Sequence, residues 1–536
     1  MRINLLCFED GLDAVGFRKI VSFIESIHDD VQGHYVTMLN RLSPMVALLA
    51  GGATRFKEGE RAQCDQEKFH KIAETLAQGD IVGFSSYTSH ADFTKRIIEE
   101  VRLINPKAFI IWGGIHPCMH PEDAILHADA ICTGEGEFAI EEFLTAYKAG
   151  QDFYGTKNFW FRKNGEIIRN GFFPLATVEQ MDRFPLPQYG KNELIYKEGQ
   201  GFVPLTAKDY LLNCGLAYNT VWSIGCPYRC SFCGNTKFIE NDKNYVKLRH
   251  PSVDYLIRQV KDVINKHPHV STIVFHDDSF MAIPKRTLQE FSEKWKREIG
   301  LPFCVQGVIP SFVKEDKLEI LVDAGMNRLR MGIQSGSDRI LEFYQRPNKP
   351  GLIHHAATII TKFKDYMIPP AYDIILDNPI ETKQDVEDTL VLLYNLPRPF
   401  TLNIFSLRMI PNSVMERQMK ERNISVDEIA ASNYNYHAPT FANIMVYLLA
   451  VWKPPHRLFE YLLKFTRPYT EKQPHFPGLL LFFRILYLAV RGVSHLRFMD
   501  FSTIVGRFGW IFWKLGIIRF WKKKALRSFN KNEAAI

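Results

Sequence analysis

Thr220-Val-Trp-Ser-Ile-Gly-Cys226-Pro-Tyr-Arg-Cys230-Ser-Phe-Cys233-Gly234 places three of the chain's nine cysteines within eight residues. Thr220–Ile224 reads as a strand, so the thiols follow it on a loop. Thiolates spaced by three and two residues can converge on one iron–sulfur cube. Such a cube normally takes four ligands, and three leave one iron open to an exogenous ligand. Zinc is the competing metal, but structural zinc prefers four ligands in paired spacings, and a second pair is not evident. Three buried structural thiols are the plainest alternative.

Working outward, residues 216–425 repeat strand–helix units. Candidate strands are Thr220–Ile224, Thr272–Phe275, Phe303–Val308, Arg328–Ile333, Ala371–Leu376 and Leu402–Leu407. Ser252 caps a helix whose core face carries Val253, Leu256, Val260 and Val263. Leu318, Ile320 and Leu321 lie in a helix that stops at Gly325. Thr382 caps a helix with Val386, Leu390 and Leu393. Six such units make an open, partial (β/α)6 TIM-type barrel, with chemistry expected at the carboxyl ends of its strands.

Residues 1–145 also alternate strand and helix signals: Ile3–Cys7, Asp80–Ser86, Phe109–Trp112 and Ala130–Cys132 read as strands. Ser89 is the expected cap of a helix with Phe93, Ile97, Ile98 and Val101 on one face. This pattern predicts a doubly wound, flavodoxin-like α/β domain, whose ligand sits at the carboxyl edge of the sheet. Ser85, Ser86, Gly113, Gly114, Gly134 and Gly136 cluster there. Tight turns alone account for any single glycine, whereas three clusters on one rim point to a large ligand. Residues 146–215 read as a connector containing a hairpin turned at Asn164-Gly165 and a stiff Phe184-Pro-Leu-Pro187 segment.

The composition fits this layout. The chain has 536 residues, 46% apolar and 23% charged, which argues against extensive disorder. A net charge of +7 is too weak to argue for nucleic acid. Nine cysteines in a long chain do not suit a secreted disulfide framework. The start, MRINLLCFED, is too short in its apolar run for a signal peptide. The best apolar stretch, Gly478–Val490, is broken by Arg484, so a spanning helix is not expected.

At the cysteine loop the chain resembles the radical S-adenosylmethionine (SAM) superfamily, marked by CxxxCxxC after the first barrel strand and an aromatic before the last cysteine, here Phe232. The resemblance implies that Cys226, Cys230 and Cys233 hold a [4Fe–4S] cluster whose open iron takes the amino and carboxylate groups of SAM. One electron then cleaves the sulfonium to methionine and a 5′-deoxyadenosyl radical, which abstracts hydrogen from an unactivated carbon. Phe275-His-Asp-Asp-Ser-Phe280 is similar to the family's aromatic–DD–aromatic element. Arg330-Met-Gly-Ile-Gln-Ser-Gly-Ser-Asp338 is similar to its "GIESGSD" segment. Gln334 replaces the usual glutamate, keeping hydrogen-bonding capacity and losing the charge. Asp373-Ile-Ile-Leu-Asp-Asn-Pro-Ile-Glu-Thr382 is similar to "GLPGET", with Asp377-Asn378 where glycine and leucine are common. Pro411-Asn-Ser413 stands where "PGT" often follows the sixth strand. The implied SAM-binding residues are Phe232, Asp277, Asp278, Gln334 and Ser335. Each segment alone also suits core or capping chemistry; their order is what carries the resemblance.

The α/β domain ahead of the barrel is similar to that of the cobalamin-binding, B12-dependent subclass. The similar segments are Val82-Gly-Phe-Ser-Ser86, Trp112-Gly-Gly-Ile-His-Pro117 and Thr133-Gly-Glu-Gly-Glu137. The implied cobalamin-binding residues are Ser85, Ser86, Gly113, Gly114, Gly134, Glu135 and Gly136. The DxHxxG motif that ligates cobalt in many cobalamin proteins is missing, so the corrinoid is expected base-off. His116 and His120 are the candidate substitutes; hydrogen-bonding loop histidines are the alternative. A domain that kept the fold and lost the corrinoid is a further reading. With cobalamin, the implied reaction is methyl transfer: one SAM methylates cob(I)alamin and a second generates the radical.

Residues 426–536 read as a C-terminal, mainly helical region. From Phe501 to Lys531 there are eight Lys/Arg and no Asp or Glu, interleaved with Phe508, Trp510, Phe512, Trp513, Phe520 and Trp521. Residues 476–536 suit peripheral contact with a membrane surface, and a soluble helical cap over the barrel accounts for the aromatics equally. Nucleic acid is the weaker option. The expected protein is a cytoplasmic enzyme, or one held at the inner face of the membrane. It methylates an unactivated carbon of a small-molecule substrate, with a lipid or natural product as candidates and a ferredoxin- or flavodoxin-type reductant. The alternatives are a radical SAM cyclase or C–C bond-forming enzyme with a degenerate cobalamin domain, and an iron–sulfur regulatory or electron-transfer protein.

Overall fold

The computed structural model describes residues 1–9, 14–37, 58–187, 189, 192–346, 348–407, 409–425, 441–468, 477–498 and 515–516. The first sheet has nine strands: β1 (Ile3–Glu9), β2 (Val31–Thr37), β3 (Ile81–Ser85), β4 (Phe109–Gly113), β5 (Ala130–Cys132), β6 (Phe159–Lys163), β7 (Glu166–Arg169), β8 (Glu193–Lys197) and β9 (Gly201–Pro204). They lie in the order β7-β6-β5-β4-β3-β1-β2-β8-β9. The parallel centre, 5-4-3-1-2, is the flavodoxin-like order expected of a doubly wound sheet. One face packs under the helices Val15–Ile27 and Glu137–Lys148, through Phe17, Val21, Ile24 and Phe143. The other packs under Glu58–Leu76 and Ala91–Ile104, through Phe69, Ile72, Ile97 and Val101.

Two details differ from the sequence reading. β2 carries no clean alternation, because His34 is buried in it and its Nδ1 lies 3.1 Å from the Leu5 carbonyl. Ser89 does not cap the helix: Thr88–His90 form a single 3₁₀ turn, which leaves His90 at the N-cap and Ser89 one residue before it. Residues 146–215 supply strands to both edges of the first sheet. The Asn164-Gly165 hairpin extends β5 antiparallel, and β8 joins β2 in parallel.

The second sheet is β10 (Ala217–Thr220), β11 (Thr272–Phe275), β12 (Phe303–Val308), β13 (Met326–Gln334), β14 (Ala371–Leu376) and β15 (Thr401–Ser406), six parallel strands in chain order. This is the open partial barrel expected. Its first strand ends earlier than the sequence suggested: Thr220 is the last residue paired with β11, at Phe275. The reason lies two and three residues on, where the Trp222 and Ser223 N–H groups turn to the Asp277 carboxylate instead of a neighbouring strand. The expected caps hold. Ser252 accepts from the Tyr255 N–H, and Thr382 forms a reciprocal capping box with Asp385.

The two sheets share one contiguous apolar core. A buried ion pair crosses it. Arg18 donates from Nε to Glu193 at 2.7 Å, with side chains 4% and 3% exposed. The Tyr210 hydroxyl donates to the other Glu193 oxygen, and the Arg18 guanidinium lies 4.4 Å from the Tyr189 ring centroid. Beyond β15, the helix Phe441–Trp452 packs along the last strand and the helix Lys383–Asn395, followed by helices His456–Leu463 and Pro477–Phe498. The aromatic and basic residues from Phe501 onward fall outside the described residues, apart from Leu515 and Gly516. Truncating Arg18 to Ala strands the Glu193 charge in the core. The expected cost is about 3–5 kcal/mol, read as a lowered urea midpoint.

Candidate active site

The three thiols sit at the carboxyl end of β10, on the loop the sequence indicated. Gly225 makes the turn into it at φ +103°, and an added Cβ would lie 2.5 Å from the Lys247 carbonyl oxygen, so a larger residue is excluded. Cys226 and Cys230 are buried and Cys233 is half-buried. Burial pushes the Cys226 thiol up to about 11 and the Cys233 thiol up to about 12. Metal-free, these groups stay protonated at neutral pH, and a metal must displace the protons. The loop is held from both ends. The Cys233 N–H donates to the Cys230 carbonyl at 3.0 Å, and Ser231 binds the backbone of Phe343 and Tyr344. Arg346 brings Nη1 within 3.6 Å of the Cys230 sulfur while Nη2 donates to the Gly332 carbonyl at 2.6 Å. A fixed cation beside Cys230, on the loop that carries the three thiols, fits an anionic iron–sulfur cluster.

The sequence-inferred SAM residues divide by environment. Phe232 packs edge-on against Tyr344, ring centroids 5.1 Å apart, directly beside the thiols. Asp278 stands open at the mouth yet closely surrounded, and desolvation pushes its carboxyl up despite a hydrogen bond from Asn235. Gln334 ends β13 at φ +73°, a left-handed conformation uncommon for this residue type that marks the strand end as strained. Asp277 has another task. It is buried, and its two oxygens accept from Trp222 N at 3.0 Å and from Ser223 N at 2.7 Å. Burial pushes it up to about 6 against those bonds. Ser335 is fully buried, 3.2 Å from the Thr389 hydroxyl, in a network that runs through Ser337 to Asp385. Asp277 and Ser335 therefore hold the frame. Asn378 is buried likewise, donating to the Tyr344 hydroxyl at 3.0 Å.

A cavity of about 420 Å³ opens between the first sheet, the helices Val15–Ile27 and Glu137–Lys148, and the barrel. Ser85, Ser86, Gly113, Gly114, Gly134 and Gly136 all line it. At Gly114, φ +89°, a Cβ would meet the Ser86 nitrogen at 2.8 Å. Its floor is apolar, including Leu5, Ile81 and Ile111, and Val221, Ile224, Phe238 and Tyr245 of the cysteine segment close its barrel side. A deep apolar slot with a small-residue rim fits the nucleotide tail of a base-off corrinoid. Glu135 is turned out of the cavity. It pairs with Arg249 at 2.6 Å, and Arg249 bridges to Ile224, two residues before Cys226.

His116 and His120 do not line the cavity. His116 is buried on Trp112, ring centroids 4.9 Å apart, with Nε2 3.0 Å from Asp123. Donor atoms of His116, His120 and Asp123 lie within 4.8 Å of one another, but Lys95 also reaches Asp123 at 2.8 Å, so the group reads as an ion-pair network. The sequence reading missed Arg346, Arg249 and Tyr245. All three act across long chain separations, for which a single sequence holds no local signal.

Residues 220–393 match the family model of the radical SAM superfamily, and residues 58–144 match the B12 binding domain. An uncharacterised methyltransferase of Pyrococcus horikoshii is 26% identical over 316 residues, 58% of this chain and 63% of that protein. The anaerobic magnesium-protoporphyrin IX monomethyl ester cyclase of Rubrivivax gelatinosus is 22% identical over 409 residues, 73% of this chain and 67% of that protein. The chain thus spans about two thirds of the length of these relatives. In fold it is similar to the radical SAM methyltransferase TsrM from Kitasatospora setae, solved with cobalamin and a [4Fe–4S] cluster bound, at a TM-score of 0.59 and 15% identity over 79% of this chain and 75% of that one.

Fold and family matches together identify a radical SAM domain preceded by a B12-binding domain. The two matched domains, in this order, support the B12-dependent radical SAM subclass, and with it a [4Fe–4S] cluster, SAM and cobalamin as cofactors.

Two substitutions separate the two sites. Cys226→Ala, Cys230→Ala or Cys233→Ala is expected to lose the iron and sulfide found by analysis of anaerobically purified protein, while Cys304→Ala, on β12, keeps both. Gly136→Leu, whose Cβ already lies 2.8 Å from Ile20, fills the slot. It should lower corrinoid content at least about tenfold with iron unchanged.

Proposed function

We propose that this chain methylates an unactivated carbon of a small-molecule substrate. The observation that supports the reading best is the shared wall: Val221, Ile224, Phe238 and Tyr245 flank the cysteine loop and also line the slot in the cobalamin domain. In that arrangement the cluster with SAM supplies hydrogen abstraction and the corrinoid supplies a methyl group. The chain's own residues then have distinct work. Cys226, Cys230 and Cys233 hold the metal, and Arg346 offsets its charge. Asp278, Gln334 and Phe232 would contact SAM, and the rims at Ser85 and Ser86, Gly113 and Gly114, and Gly134 and Gly136 would seat the corrinoid. Buried Asp277 and the apolar Val221–Ile224 segment position the loop and exclude water.

The interior of the barrel bears on the substrate. Arg330 donates to Asp373 at 2.6 Å and to Gln306, and lies over the Phe405 ring, while Asn403 donates to the same Asp373 at 3.0 Å. This lining suits a substrate that pairs polar groups with an apolar or aromatic body. The name of the Rubrivivax gelatinosus relative supports ring formation as a second reading. A passive electron-transfer role leaves the slot without use. A ferredoxin- or flavodoxin-type protein is the expected electron donor.

The test is anaerobic turnover of reduced, cobalamin-loaded protein with SAM and a candidate amphiphilic substrate. Methyl transfer yields S-adenosylhomocysteine and 5′-deoxyadenosine together. Deoxyadenosine alone, made equally well by corrinoid-free protein, would contradict it.

A further inference from the structure

Among the described residues, the C-terminal helices present an exposed apolar face besides the one that packs on the core. In Pro477–Phe498, Phe483, Tyr487 and Val490 turn inward and pack against the core. Phe482, Ile485 and Val493 lie on the opposite side, each more than half exposed. Trp452, Tyr461 and Phe465, just before this helix, are also more than half exposed. Half of the large exposed apolar side chains found among the described residues fall between Trp452 and Leu515. Scattered exposed leucines are ordinary, but a second apolar stripe on a helix that already buries one is not.

Charge follows the same boundary. Lys453 to Lys531 holds sixteen Lys/Arg against three Asp/Glu, while the rest of the chain holds fifty against fifty-six. A net-acidic catalytic body therefore carries a strongly cationic C-terminal region. Arg457 lies on the helix of Tyr461 and Arg491 on that of the exposed stripe, and Lys453 directly follows Trp452. No described helix is long and apolar enough to cross a membrane, and Pro477–Phe498 is interrupted by Arg484, Arg491 and Arg497.

We propose that this face docks the enzyme on an anionic lipid bilayer, with the outer stripe of Pro477–Phe498 in the interface and the flanking cations on the headgroups. Apolar burial and electrostatic attraction then act on one surface. Nucleic acid suits the cations but leaves Ile485 and Val493 without a stacking role. A second copy joined through the same face would oppose like charges. The face is joined to the mouth of the barrel: Tyr487 packs on Tyr447, ring centroids 4.8 Å apart. From the same helix, Asn443 donates to Asp377, just beyond β14, at 3.2 Å. Docking is independent of whether the enzyme transfers a methyl group.

The experiment is co-sedimentation of the full-length, cluster-loaded protein with phosphatidylglycerol-containing vesicles and with pure phosphatidylcholine vesicles. Binding should favour the anionic vesicles. It should fall at least about tenfold in Phe482→Glu/Ile485→Glu and, separately, in Lys453→Glu/Arg457→Glu. Both variants alter exposed side chains, so cluster absorbance and urea midpoint should match the parent. No binding to anionic vesicles, or undiminished binding by both variants, overturns the proposal. So does selective binding of a single-stranded RNA oligomer with vesicles ignored, or a dimer that the Phe482→Glu/Ile485→Glu variant dissociates.

Discussion

A buried carboxylate organises the catalytic end of the barrel. Asp277 lies just beyond β11 and takes the backbone N–H groups of Trp222 and Ser223, which would otherwise lengthen β10. These charge-assisted bonds counter only part of the desolvation of the ion, and they end the strand where the loop must begin. From there Gly225 turns the chain into the loop that carries the three thiols. The loop's position thus follows from satisfying one buried charge.

The same segment closes the cavity of the neighbouring domain. Val221 and Ile224 face the slot, and the backbone bridge from Ile224 to Arg249 continues through the Arg249–Glu135 pair to the rim after β5. A movement of the cobalamin domain is therefore a movement of the cysteine loop's own wall. Within the first domain, Arg18 and Glu193 tie the helix that lines the slot to β8, next to the sheet's outermost strand. The two sites are built as one core, which suits chemistry whose reacting groups must be held close and dry.

What the sequence revealed follows the range of the interactions. The cysteine loop was legible because its ligands lie within eight residues, and the barrel because each strand carries its own apolar run. The small-residue rims were legible from three short glycine clusters. Other features depended on partners distant in the chain. Glu135 sits among the rim glycines but pairs with Arg249, and Asp277 sits in a motif yet spends its oxygens on backbone fifty-odd residues away. β2 was hidden because its Gly33 and His34 break the apolar pattern; His34 is buried through a bond to the adjacent strand. The 146–215 strands were hidden because edge strands have little apolar alternation of their own.

The central claim is that Cys226, Cys230 and Cys233 hold a four-iron cluster with one iron open to SAM. Electron paramagnetic resonance of the dithionite-reduced, anaerobically reconstituted protein tests it most directly. The account predicts a reduced four-iron signal whose shape changes when SAM is added. A protein that reconstitutes with zinc instead, or a signal indifferent to SAM, would contradict it.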